Sequence, residues 1–211
     1  MDLLTKLHTD PFVLIHKRLE DITTDIDLLD EVELVRHDRY LDPEKKIEFL
    51  AGRCLIKEVL GELLGRPPDT INLSMTESGK PYYKQEGEEL VHFNLSHTQK
   101  DFTLGVSLKP IGVDMEPEKD NISLDSMRTF LADDELQQLK SMPDSEQSNQ
   151  VLKLFTAKEA FIKATDKRYG LDEIVFKCTN GCWDLKAPTC DCLIEHSTYE
   201  SFFVAVSVDL D

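Results

Sequence analysis

The sequence has few basic residues and no long apolar run, and both shortages exclude classes of function. Its 24 Lys and Arg stand against 41 Asp and Glu, which gives a formal net charge of −17. Nucleic acids and anionic membranes attract proteins mainly through basic side chains, so neither is an expected partner. No stretch approaches the roughly 18 apolar residues that a membrane-spanning helix needs.

Glycine and proline are also scarce, at 9 residues each in a chain of 211. Hydrophobic residues make up 40% of the chain, which is enough for a buried core. We therefore expect a globular protein and not a disordered one.

Cysteine is scarce as well, and the five present are an odd number. The N-terminal segment carries acids and interrupts its apolar run too early for a signal peptide, so we expect a cytoplasmic protein with reduced thiols. A zinc site is the alternative interpretation, and it would use Cys178, Cys182, Cys190 and Cys192. Their spacing matches no common zinc finger, and Cys190 and Cys192 would share one face of a strand as small apolar residues do.

A long helix followed by short strands is predicted twice. In the first half, Asp42 is a candidate N-cap, Pro43 suits the first helical position, and apolar residues recur at helical spacing until Gly61 or Gly65, with Pro67 beyond. In the second half, helical patterns over 132–142 and 146–166 precede further strands. The sequence thus predicts an α+β fold of two similar halves, residues 1–108 and 109–211, each with a long helix packed on a small, mainly antiparallel sheet.

The two long helices also repeat an aromatic residue and two charged residues at a spacing of four. The triplets are Phe49, Arg53 and Lys57 in the first half and Phe155, Glu159 and Lys163 in the second. This echo favours an internal duplication, although short echoes also arise by chance.

Three acids form a candidate metal site in the second half. Asp114 and Glu116 lie two apart in a predicted strand, so both carboxylates share one face, as Mg²⁺ ligands could. Glu159 and Lys163 share one face of the predicted helix, with Lys158 about 100° round the axis. The alternatives are a solvated strand edge for the first pair and an ordinary salt bridge for the second.

Two further segments carry polar groups near turns. FNLSHT, residues 93–98, presents Ser96 and His97 where a strand ends, and SGKPYY, residues 78–83, projects Lys80 from a turn. Because no acid that would orient His97 is identified, a Ser/His hydrolase is poorly supported.

The order of these segments carries more information than any one of them. GRCLIK, SGKPYY, FNLSHT, GVDMEPEKD and LFTAKEAFIKA together resemble the 4′-phosphopantetheinyl transferases. GVDME matches the family motif G-(I/V)-D-x-E, and FTAKEAFIKA matches W/F-x-x-K-E-x-x-x-K, with Phe155 where many relatives have Trp. The length favours the Sfp-type branch, in which one polypeptide holds two similar halves related by pseudo-twofold symmetry, and which we expect to be monomeric.

The resemblance implies an enzyme that moves the phosphopantetheine arm of coenzyme A to a serine of an apo acyl or peptidyl carrier protein, releasing 3′,5′-ADP. It implies Mg²⁺, with Mn²⁺ as a possible substitute, held by Asp114, Glu116 and Glu159. Glu159 would be the catalytic base, directly or through a metal-bound water, and Lys163 would assist by neutralising phosphate charge. Binding of coenzyme A would fall to Lys80, Pro81, Ser96, His97, Asp114, Lys158, Lys163, Arg36, Arg39 and Arg53.

The first half would hold the 3′-phosphate and adenine, and the second half the metal and catalytic motifs. Arg36, Arg39 and Arg53 are the candidates for the 3′-phosphate, although acids such as Glu33 and Asp38 are interleaved with them. Carrier proteins are themselves acidic, so a net charge of −17 should repel them at long range.

Two other functions use the same residues. A noncatalytic module that binds coenzyme A or a carrier protein would keep the fold, but the presence of all three acids and of both helix lysines, Lys158 and Lys163, counts against it. A Mg²⁺-dependent phosphohydrolase would use the same acids, but it leaves FNLSHT and SGKPYY unexplained.

Overall fold

In this computed structural model, each half of the chain contains one 22-residue helix, the longest element of that half. The structure describes residues 3–83, 91–98, 100–179, 182–188 and 190–210. The chain divides into two units, residues 1–108 (unit 1) and 109–211 (unit 2). No described helix combines the length and the apolar character needed to cross a membrane.

Unit 1 packs three helices with an antiparallel sheet and a hairpin. Its elements are α1 (Leu3–Thr9), β1 (Val13–Arg18), α2 (Glu31–Asp38), α3 (Pro43–Leu64), β2 (Leu73–Met75), β3 (Pro81–Tyr83), β4 (His92–Thr98) and β5 (Asp101–Ser107). The sheet has the order β1-β5-β4, and β2 pairs with β3.

The ends of α3 confirm the local signals in the sequence. The Asp42 side chain accepts a hydrogen bond from the Glu44 N–H at 2.9 Å, and Pro43 occupies the first turn. Gly65 ends the helix with a φ of 62°, a left-handed conformation that glycine adopts without a steric penalty. The helix buries Leu55, Ile56 and Leu60 in the core of the unit, with Phe102 and Leu104 of β5.

Unit 2 repeats the plan of unit 1. Its elements are β6 (Ile111–Pro117), α4 (Asp133–Lys140), α5 (Asp144–Thr165), β7 (Val175–Thr179), β8 (Cys182–Ala187), β9 (Cys192–Tyr199) and β10 (Phe202–Asp209). The sheet has the order β6-β10-β9 and the hairpin is β7-β8. In each three-stranded sheet the last strand of the unit is central: β5 lies between β1 and β4, and β10 lies between β6 and β9. The prediction of two similar α+β halves is therefore confirmed.

The register of the repeat differs from the one that the sequence echo indicated. Lys57 and Lys158 occupy the same position relative to the start of their helices. Each is paired with a glutamate at the third position of the preceding short helix, Glu33 at 2.7 Å and Glu135 at 2.5 Å. Lys57 therefore corresponds to Lys158, and matching it with Lys163 was wrong by five residues.

Candidate functional site

A close contact between α5 and β6 positions the acidic residues of unit 2. A Cβ atom at Gly112 would lie 2.0 Å from the Ala160 carbonyl oxygen and 2.3 Å from the Ala164 nitrogen, so the helix backbone rests directly on the strand here. Only glycine permits this approach. The contact sets the Glu159–Lys163 turn of the helix beside the strand segment that follows Gly112.

Asp114 and Lys163 form the centre of this site. The Lys163 ammonium lies 2.6 Å from Asp114 Oδ1 and donates a hydrogen bond to the Val113 carbonyl at 3.2 Å. Asp114 is 6% exposed, which does not fit the alternative of a solvated strand edge. Lys163 thus reaches across from the helix to the strand and supplies the positive charge that a buried carboxylate needs.

Glu116 and Glu159 complete the group, because Asp114 acts electrostatically on both. Burial raises the pKa of Glu116, and the charges of Asp114 and Glu159 raise it further, whereas Lys163 lowers it. Burial followed by the charge of Asp114 raises the pKa of Glu159, which Lys163 again lowers. Asp114 and Lys163 are thus in direct contact, and Glu116 and Glu159 lie near enough to interact with both electrostatically.

The donor chemistry of this group fits Mg²⁺, which prefers carboxylate oxygens together with water and phosphate. Among the residues that the structure describes, no three His, Cys, Asp or Glu side chains are placed so that they could hold a metal ion as they stand. Asp114 faces the Lys163 ammonium at 2.6 Å. Binding of a divalent cation would therefore require a rearrangement of these side chains.

Lys158 does not belong to this group. Its side chain is 0% exposed, and its ammonium lies 2.5 Å from Glu135 Oε2. It also donates to the carbonyls of Phe130 at 2.9 Å and Leu171 at 2.8 Å. An ammonium with three buried partners is not available to a phosphate, so the prediction of Lys158 as a phosphate ligand is wrong in this structure.

Phe155 lies near Lys158 and keeps an aromatic contact. Its ring meets that of Phe130 edge to face, with 5.4 Å between the ring centroids. This contact agrees with an aromatic requirement at the position and explains how Phe can stand there.

Unit 1 contains a separate cavity of about 410 Å³ beside α3. It is lined by Arg36, Tyr40, Lys45, Glu48, Phe49, Gly52, Arg53, Ile56, Pro81, Leu95 and His97. Four of these, namely Arg36, Arg53, Pro81 and His97, are among the residues proposed from the sequence for coenzyme A. Basic groups and aromatic rings together suit a phosphorylated nucleotide.

Phe49 lines this cavity, hereafter the Phe49 cavity, although nothing in the sequence marks it as a binding residue. The guanidinium carbons of Arg36 and Arg53 lie 5.5 and 5.0 Å from its ring centroid. The Tyr40 ring is 5.5 Å away, measured between ring centroids. The helical spacing of Phe49 is equally typical of a core residue, so only the structure reveals these neighbours.

The remaining predicted residues of unit 1 are dispersed. Arg39 lines a neighbouring groove with Arg36, Val32, Val35 and Met75, so it does not join Arg53 at the Phe49 cavity. Lys80 lines a small cavity of about 80 Å³ with Pro81, Tyr82, Tyr83, Val91, His92 and Phe93.

Ser96 and His97, which are adjacent in β4, differ in exposure. Ser96 is 6% exposed, so its hydroxyl is almost buried. The His97 side chain is 41% exposed, stacks on Phe102 at 5.2 Å and places Nε2 3.7 Å from Glu48 Oε2. Of the two, His97 is the one that lines the Phe49 cavity.

Of the four C-terminal cysteines, three are partly buried at the hydrophobic cluster of unit 2 and Cys182 is exposed. Cys178, Cys190 and Cys192 pack against its hydrophobic cluster, and the sulfurs of Cys190 and Cys192 are 2.9 Å apart. These contacts agree with the interpretation of small apolar residues.

Two family models match the chain in succession. One, described as "4′-phosphopantetheinyl transferase, N-terminal", matches residues 17–109. The other, described as "4′-phosphopantetheinyl transferase superfamily", matches residues 110–202. The two matches follow the division into units.

Curated relatives bear related names. The 4′-phosphopantetheinyl transferase HetI of a Nostoc species is 33% identical over 151 residues, which cover 70% of this chain and 64% of the relative. The 4′-phosphopantetheinyl transferase Sfp of Bacillus subtilis is 29% identical over 133 residues, 63% of this chain and 58% of the relative. A holo-[acyl-carrier-protein] synthase of Staphylococcus carnosus is 32% identical over 78 residues, 34% of this chain and 66% of the relative. The chain thus covers less than two thirds of the length of each of these relatives.

Proposed function

Because the chain belongs to the 4′-phosphopantetheinyl transferase superfamily, in its Sfp-type branch, we propose that it transfers the phosphopantetheine arm of coenzyme A to a serine of an apo carrier protein. The observation that carries this proposal is the group formed by Asp114, Glu116, Glu159 and Lys163. In this proposal the three carboxylates form a cation site once their side chains rearrange, and one of them serves as the base for phosphoryl transfer.

In the proposed reaction the serine oxygen forms a bond to the phosphorus that carries pantetheine. The bond from that phosphorus to the bridging oxygen breaks, and 3′,5′-ADP leaves. Glu159 accepts the serine proton, directly or through a bound water. Mg²⁺ or Mn²⁺ held by Asp114, Glu116 and Glu159 would supply Lewis acidity at the pyrophosphate oxygens.

Lys163 contributes a fixed positive charge on the same face of α5. The Lys163 side chain is 30% exposed, so its ammonium can contact a bound phosphate while it remains paired with Asp114. Placing charge where it develops in the transition state is the main requirement of phosphoryl transfer. We propose that unit 1 binds the nucleotide end of coenzyme A in the Phe49 cavity, where Arg36, Arg53 and His97 meet its phosphate.

The partner would be an acyl or peptidyl carrier protein, which is acidic. Since the chain itself carries −17, docking would depend on apolar contacts and on local positive groups such as Lys163. We further propose that the protein acts as a monomer, which light scattering after gel filtration would test.

The test is the intact mass of an apo acyl or peptidyl carrier protein after incubation with this protein, coenzyme A and Mg²⁺. We expect a phosphopantetheine adduct that disappears with EDTA and falls by about a hundredfold or more in rate with Glu159→Gln. Glu146→Gln is the matched control, because Glu146 is an exposed acid on the same helix. No adduct on any carrier, despite binding of coenzyme A, would support the noncatalytic module instead.

A further inference from the structure

Glu33 is a buried acid of unit 1 that meets two buried cations. Its side chain is only 7% exposed, and Oε1 lies 3.2 Å from Arg53 Nε. Oε2 lies 2.7 Å from the ammonium of Lys57, which also donates to the Leu28 carbonyl at 2.6 Å. In the sequence, Glu33 is one of the acids interleaved with the candidate arginines. In the structure it is the counter-ion of Arg53 and Lys57.

Unit 2 contains a similar buried glutamate–lysine pair, but the second carboxylate oxygen has a different partner. Glu135 pairs with Lys158 through Oε2, as Glu33 does with Lys57. Its other oxygen, Oε1, accepts a hydrogen bond from the Phe176 backbone N–H at 2.8 Å. The second oxygen thus serves backbone structure in unit 2, whereas in unit 1 it faces an arginine.

The arginine that Glu33 holds lines the Phe49 cavity. Arg53 is 7% exposed, and its guanidinium carbon lies 5.0 Å from the Phe49 ring centroid. Glu33 Oε1 lies 3.2 Å from Nε of the guanidinium, and the terminal nitrogen Nη2 donates to the Met75 sulfur at 3.9 Å. Arg36, the second arginine near Phe49, follows Glu33 by three residues on α2, so anchoring this helix also places Arg36.

The charges around Glu33 leave a surplus. One carboxylate faces two cations, so the buried group keeps one net positive charge next to the cavity. A guanidinium whose orientation is fixed before binding loses less entropy when it meets a phosphate.

We infer that Glu33 is a positioning residue that orients Arg53, and through α2 Arg36, toward the 3′-phosphate of coenzyme A. This inference rests on the proposed function. Glu33 touches no substrate atom. It sets how strongly the protein distinguishes coenzyme A from its 3′-dephospho form.

The test compares Glu33→Gln with the parent on coenzyme A and on 3′-dephospho-coenzyme A. Glutamine can still accept the hydrogen bond from the Asp30 N–H that caps α2, so the change removes charge and keeps the cap. We expect KM for coenzyme A to rise about tenfold, because Arg53 loses the carboxylate that lies 3.2 Å from its Nε and with it a fixed orientation toward the phosphate. We expect kcat to stay unchanged and KM for the 3′-dephospho form to change by less than about twofold.

Lys57→Met is the matched control within the same buried group. It removes the partner of Oε2 but leaves the pair of Glu33 with Arg53, so discrimination between the two forms should persist. Where Glu33→Gln does not fold, Glu33→Gln/Lys57→Met removes one of the two unbalanced cations, and we expect it to show the same loss of discrimination.

Calorimetric titration with 3′,5′-ADP separates this inference from the proposed function, because it requires no transfer. Weaker binding of 3′,5′-ADP by Glu33→Gln, with Lys57→Met close to the parent, would support the inference even if the parent transferred nothing. The inference would be overturned if Glu33→Gln kept both its discrimination between coenzyme A and the 3′-dephospho form and its affinity for 3′,5′-ADP. It would also be overturned if Lys57→Met lost as much of either as Glu33→Gln. In both cases, transfer by the parent would still support the proposed function.

Discussion

Replacement of Gly112 by alanine should displace α5 from β6 and disable the acidic site of unit 2. The added Cβ would lie 2.0 Å from the Ala160 carbonyl oxygen, 2.3 Å from the Ala164 nitrogen and 2.8 Å from the Lys163 carbonyl carbon. All three atoms are backbone atoms, so no side-chain rotation can relieve the clash. To restore an ordinary contact of 3.4 Å, the helix must retreat by 1.4 Å, which is 3.4 − 2.0.

Two effects follow from this displacement. Overpacking of this kind costs about 1–3 kcal/mol of unfolding free energy, and the Tm of a unit of this size should fall by about 5 °C or more. The displacement also draws Glu159 and Lys163 away from Asp114, to which Lys163 now lies at 2.6 Å. A misplacement of about 1 Å can cost about a hundredfold in rate.

The assay is the initial rate of carrier modification, measured by intact mass at a temperature where thermal unfolding shows the variant to be folded. Gly65→Ala is the control: its φ of 62° makes alanine strained, yet nothing lies within 4 Å of the new Cβ. We expect Gly65→Ala to lose stability by about 1 kcal/mol and to keep its rate. A Gly112→Ala protein with a rate within threefold of the parent would refute the reasoning.

Three further outcomes are expected. Glu135→Gln leaves Lys158 buried and unpaired, so urea denaturation should show unit 2 destabilised by about 3–5 kcal/mol, and a loss below about 1 kcal/mol would contradict the buried pair. Burial lowers the pKa of His16 from its ordinary 6.5, so the unfolded chain takes up this proton first and stability falls as the pH drops below 6.5. His16→Asn should flatten the decline of Tm between pH 6.5 and about pH 5, and an unchanged decline would exclude His16 as its source. Because carrier and enzyme are both acidic, stopped-flow association should accelerate as salt is added, and a rate that falls with salt would refute this expectation.

The parts of the fold that could be predicted are those set by neighbouring residues. Asp42 and Pro43 define the start of α3 from local chemistry alone, whereas the sequence narrows the end only to Gly61 or Gly65, of which Gly65 is the end. The shared face of Asp114 and Glu116 follows from strand geometry. The burial of Lys158 could not be predicted in this way, because its partner Glu135 lies 23 residues earlier. Helical periodicity indicates which face of the helix a side chain lies on, but it does not indicate whether residues distant in sequence bury that side chain.

The same reason explains the mistaken register of the repeat. The echo matched Lys57 with Lys163 by spacing, whereas the structure matches Lys57 with Lys158 by their buried partners. Which lysine is a counterpart depends on a contact with the preceding short helix, and spacing along one helix does not contain that information.

The buried lysine–glutamate pairs restrict which substitutions each half of this chain can accept. A mutation at either member alone strands a charge in the interior, so a lineage can leave the pair only by changing both codons or by compensating elsewhere. Positions 33 and 57, and likewise 135 and 158, should therefore covary among related sequences.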